Sequence, residues 1–148
     1  MKVCKIILVV LFVVSFSSVA SATAFDEDIF VSSAATQQKI DTIYAQSRIL
    51  GKNYGYQQFS SSYGFPFLNL FRGRSGKITA ESVRGVLNGY TVDELQNLSM
   101  YNDCLQTLLE DYLQKHKSDP QIKKYFKDLF TVADTSADLL AQKIKNKK

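Results

Sequence analysis

Arg72-Gly73-Arg74-Ser75-Gly76-Lys77 places three positive charges on a glycine-rich stretch just ahead of a short helical pattern. Backbone amides at a helix N-terminus and the helix dipole add to side-chain charge, so Arg72, Arg74 and Lys77 are candidate contacts for a sulfate, a phosphate or an acidic glycan. The spacing is not that of a nucleotide-binding loop, and an ordinary solvated turn has the same composition. The stretch brushes against the Gly-x-Ser-x-Gly pattern of a serine nucleophile without completing it. Phe71-Arg72-Gly73-Arg74 has the glycine-before-basic order of an amidated hormone precursor, but its strongly helical flanks argue for a folded domain.

Other reactive groups do not assemble. His116 is the single histidine and cannot pair with a second one to hold zinc, and Cys104 beside it completes no metal site of usual composition. Asp93-Glu94 and Glu110-Asp111 are carboxylate neighbours, yet adjacent residues on a helix point about 100° apart and do not converge. Calcium-loop spacing is absent around Asp26-Glu27-Asp28. No catalytic residue, metal ligand or cofactor is implied.

Two groups matter if the chain is exported. Asn97-Leu98-Ser99 is an acceptor for an N-linked glycan. Cys104 lies seven residues on, on the same flank of a helix and roughly 10 Å along its axis. The thiol is either sheltered as a small hydrophobe or forms an intermolecular disulfide in a disulfide-linked homodimer. Cys4 cannot pair with it within the chain once the first residues are removed.

The strongest compositional feature is aromatic. Seven aromatic residues fall in the twenty-one positions 53–73, with no acidic residue among them and no period fitting a helix or strand. Tyr54, Tyr56, Phe59, Tyr63, Phe65, Phe67 and Phe71 are candidate partner or ligand contacts. Within that set Tyr63, Phe65, Phe67, Leu68, Leu70 and Phe71, clustered around Pro66, are expected to dock onto the rest of the fold. Residues 53–62 are expected to stay mobile until something binds.

The elements that must position these groups follow from patterning. Residues 1–24 have a positive start at Lys2 and Lys5, an apolar run over 6–16 and a small-residue end at Ala22-Thr23-Ala24, the three parts of a secretory signal peptide. Cleavage there leaves sixteen basic against fourteen acidic residues, a balance too mild to predict nucleic-acid binding. Residues 25–148 have the length of one domain. A helix is expected over 26–50 with Gly51 as its cap, another over 80–87 behind Thr79, and a third from the Thr91/Glu94 capping box to about Lys117. A last helix begins at Pro120 and carries one stripe to Ile144, with a bend near Asp134-Thr135-Ser136. Small residues at Ala133, Ser136 and Ala137 would let another helix approach closely.

The fold class implied is all-α, a small antiparallel bundle of about four helices with one long aromatic-rich irregular connection over 52–78. The lysines of the last helix resemble a surface-seeking amphipathic face, but Asp128, Asp134 and Asp138 cancel much of their charge and a bundle helix is the better account, without stable membrane insertion. The functional expectation is a secreted, extracellular, non-enzymatic protein that binds another macromolecule. The alternative is a carrier of an apolar small molecule or lipid in a cavity between helices.

Overall fold

The computed structural model describes residues 27–53, 65–115 and 118–147. A single 3-10 turn, Glu27–Phe30, leads into α1 (Ser33–Asn53); α2 (Phe65–Asn69), α3 (Ala80–Leu87), α4 (Val92–Lys115) and α5 (Pro120–Asn146) follow. These residues form an all-α bundle with no strand among them, as the periodicity predicts. Their only extended pairing is an isolated bridge between Arg72 and Ile78.

The sharpest helix ends are the locally encoded ones. Thr79 accepts from the Ser82 amide while the Ser82 hydroxyl accepts from the Thr79 amide, so two amides that the first turn leaves unbonded are satisfied at once. Thr91 and Glu94 do the same for α4. Asp119 accepts from the Gln121 amide, and Pro120 occupies the first turn of α5, where a missing N–H leaves no gap.

The short link between α4 and α5 turns them back on each other, and they form the main packed pair; α3 packs on α5 and α1 on α4. Asn102 of α4 donates to the Leu129 carbonyl of α5 at 3.2 Å, inside the seam. α1 runs in the same direction as α4, because Ser33 bonds Asn97 near the start of both and Tyr44 meets Cys104 further along. The long route from α1 to α4 through α2 and α3 makes that parallel pairing possible.

Two expected boundaries move. The helix expected over 26–50 breaks at 31–32, because Phe30 turns inward and is buried. Its ring meets Tyr101 edge-on at 5.7 Å and Phe67 at 6.2 Å. The Thr36 hydroxyl donates to the carbonyls of Ile29 and Ser32, which holds the break in place. At the other end α1 continues through Gly51 to Asn53 rather than capping there.

The connection expected to be irregular over 52–78 contains α2. Pro66 sits in its first turn, where its fixed φ suits a helix, and turn bonds from Leu70, Phe71 and Arg72 back to Phe67, Leu68 and Asn69 extend the coil. Phe67, Leu68 and Phe71 are fully buried and Leu70 packs half-buried against the same core. Phe67 lies 5.2 Å from both Phe71 and Tyr101, so one ring joins α2, α4 and the N-terminal turn. Burial, with the neighbouring Tyr101 and Asp128, also holds the Tyr125 phenol far above its usual range.

Truncating a buried Phe that touches three aromatic partners removes its burial and leaves a cavity. Phe67→Ala should lower the unfolding free energy by about 3–5 kcal/mol, read from urea denaturation. A loss below about 1 kcal/mol would mean that the ring is not seated as described.

Candidate functional site

The basic stretch ahead of α3 is a built turn. Phe71 anchors its first strand of backbone in the core, and the Ser82 hydroxyl donates to the Phe71 carbonyl at 2.7 Å. The Gly73 amide donates to the Lys77 carbonyl and the Gly76 amide to the Gly73 carbonyl, each at 2.9 Å. Gly76 has φ of +73°, a left-handed conformation that a side chain would strain. A Cβ at Gly73 would stand 3.3 Å from that of Ser82, so glycine also lets the turn lie close to α3.

The three cations of this turn do different work. The Arg72 guanidinium donates through Nε to Asn69 Oδ1 at 2.8 Å and through Nη1 to the Gly76 carbonyl at 3.0 Å, and so staples the turn. Arg74 and Lys77 are exposed, with Ser75 between them and the exposed Glu81 on the following helix as a negative neighbour. Arg72 thus serves the turn's own shape, while Arg74 and Lys77 lie exposed on the same turn.

The aromatic candidates divide. Tyr54, Tyr56, Phe59 and Tyr63 lie outside the described residues, and of Phe65 only the backbone that opens α2 is described. Phe67 and Phe71 are placed as core, so as contacts they are corrected: a fully buried ring presents no surface to a partner.

Asn97 is 4% exposed. Its Nδ2, the atom that would carry a glycan, donates to the Phe30 carbonyl at 2.8 Å, and its Oδ1 accepts from the Ser33 hydroxyl at 3.0 Å. A glycan on that nitrogen would have to displace the 27–33 segment. The flank of α4 that carries Asn97 is covered by the chain's own 27–33 segment.

Cys104 is buried on the same flank, beneath α1. Burial pushes its thiol from the ordinary 9.0 up to about 11; a hydrogen bond from Tyr44 works the other way, and the Asp41 carboxylate adds to the rise. Of the two readings of this thiol the geometry favours the sheltered one, since a second chain cannot reach a covered sulfur without displacing α1.

His116 lies outside the described residues. Among those described, no group of three or more histidine, cysteine or acidic side chains comes together. Two residues with structural roles escape the periodicity: Phe30, which reads as one more position in a helix, and Ser82, which reads as an ordinary N3 residue. A serine three residues after Thr79 is the one usable signal, as the second half of a capping box. Ile144, expected as the end of the buried stripe, is 44% exposed. Comparison with protein-family models, with curated proteins and with solved structures finds no match.

The Cys104 geometry has a measurable consequence. Because the folded thiol holds its proton above the unfolded value, its contribution to stability is complete below about pH 9 and is lost as pH rises through about 11. Alkylation at about pH 8 should be negligible in the native chain and rapid in denaturant, and a non-reducing gel should show monomer. Rapid native labelling, or a disulfide-linked dimer, would contradict the buried placement.

Proposed function

We propose that this chain is a secreted, non-enzymatic helical protein that acts by binding another macromolecule, and that the 72–78 turn is one of its contact surfaces. The observation that carries the reading is the turn's construction: two exposed cations, Arg74 and Lys77, stand on a loop already fixed by Arg72, Gly76, Ser82 and the buried Phe71. Ordering a loop on binding subtracts from affinity, and here that ordering is already made. Charge of this sign suits an acidic patch on an extracellular partner protein and raises the association rate more than the affinity.

Two further features support the reading. The leader-like 1–24 segment favours export, and no helix among the described residues is long and apolar enough to cross a membrane. The buried polar side chains Thr36, Asn97, Asn102, Thr135 and Ser136 each donate to a backbone carbonyl, which is the pattern of a scaffold.

Native mass spectrometry of the protein recovered from its own secretion tests this. The expected result is a retained protein partner whose affinity falls about tenfold in the Arg74→Glu/Lys77→Glu double variant, with thermal stability unchanged. Co-purifying lipid or small-molecule mass without a protein partner would favour a carrier instead. Hydrolase activity abolished by one acidic-residue substitution would overturn the non-enzymatic reading.

A further inference from the structure

Asn88-Gly89 ends α3, and both residues are exposed. Glycine leaves the peptide nitrogen of residue 89 unshielded, and even a Cβ there would meet no atom within 4 Å. The pair is therefore open to attack on itself. The Gly89 nitrogen can lose its proton to water and add to the Asn88 side-chain amide carbon, from which ammonia leaves. Water then opens the resulting succinimide ring to aspartate or isoaspartate. The net change consumes one water, releases one ammonia and needs no other reactant.

Ring closure requires one rotation. The Gly89 nitrogen must swing about the Asn88 Cα–C bond until it eclipses Cβ, since only then does it face the side-chain Cγ. Asn88 instead stands at φ −56° and ψ −36°, a helical setting that turns the nitrogen away. Two bonds hold that setting. The Tyr90 amide donates to the Leu87 carbonyl at 3.0 Å, closing a turn whose middle residues are Asn88 and Gly89, and Lys143 Nζ of α5 donates to the Asn88 carbonyl at 3.0 Å. The carbonyl oxygen turns with the nitrogen, so the rotation carries it away from Lys143.

We propose that Asn88 is a deamidation site restrained by Lys143, and that the reaction proceeds when the end of α5 lifts from α3. Lys143 lies in the last turn of α5, and helix ends open at low free energy. The exposed Arg84–Asp138 pair between the same two helices, at 3.5 Å, adds little hold. Lys143 also acts in the opposite sense, because a cation on the carbonyl makes the Gly89 N–H more acidic. Geometry outranks acidity here, since no attack begins until the nitrogen has turned. The product is permanent: a carboxylate appears on the residue that Lys143 holds, and in the isoaspartate form the main chain is one methylene longer where α3 meets α5.

The site lies outside the 72–78 turn, so it stands or falls independently of the partner reading. The test is peptide mapping by mass spectrometry of the full chain kept in mildly alkaline buffer, native and in urea, reading the conversion of amide to acid at Asn88. Deamidation should be at least about tenfold faster in urea than in the native chain. The native rate should rise about threefold or more in Lys143→Ala and stay near the parent's in Lys143→Arg, which can still donate, with circular dichroism unchanged. Asn88→Gln, whose longer side chain closes the wrong ring size, should show no conversion on the same timescale. Equal rates in the native chain and in urea, or a Lys143→Ala rate no higher than the parent's, would overturn the proposal. So would an Asn88 that stays intact in urea.

Discussion

Phe67 occupies the point where three parts of the chain far apart in sequence meet. Its ring packs against Phe30 of the N-terminal turn, Tyr101 of α4 and Phe71 at the start of the basic turn. Edge-on and tilted contacts at these distances favour a fixed arrangement over a sliding one, because the ring edges are positive and the faces negative. Everything that α2 holds in place, including the turn that follows it, depends on that ring staying where it is.

Hydrogen bonds complete what the rings begin. Once Phe30 enters the core its carbonyl is taken out of water, and an unpaired buried carbonyl costs about 1–3 kcal/mol, so a donor must meet it. Asn97 supplies that donor and receives Ser33 in return. At the opposite side of the cluster the Phe71 carbonyl meets Ser82, whose hydroxyl also caps α3. The two latches tie the 27–30 turn and the basic turn to the same aromatic centre, one through α4 and the other through α3.

What could be read from sequence was what the sequence encodes within a few positions. The Thr79 and Thr91 caps, Pro120 at the head of α5 and the apolar stripes of α4 and α5 all rest on contacts three or four residues apart. The break at 31–32 could not be read that way, because its cause lies in Tyr101 and in an asparagine sixty-seven positions from Phe30. Asn97 shows the same limit from the other direction: its three-residue acceptor motif is visible locally, whereas the buried carbonyl that occupies its nitrogen is not. α2 escaped because five residues with a proline give no helical period to detect. Of the candidate site, the basic turn was visible by composition. Its rigidity, and the separate role of Arg72 as a staple, required the fold.

The central claim is that the aromatic cluster joins the basic turn to the bundle as one cooperative unit. Native-state hydrogen exchange tests it most directly, by comparing the Phe71 and Gly73 amides with buried α4 amides such as that of Leu105 across a denaturant series. The account predicts that the Phe71 and Gly73 amides open with the same free energy and the same denaturant dependence as Leu105. Exchange of those two amides through a separate low-energy opening, while α4 stays protected, would contradict it.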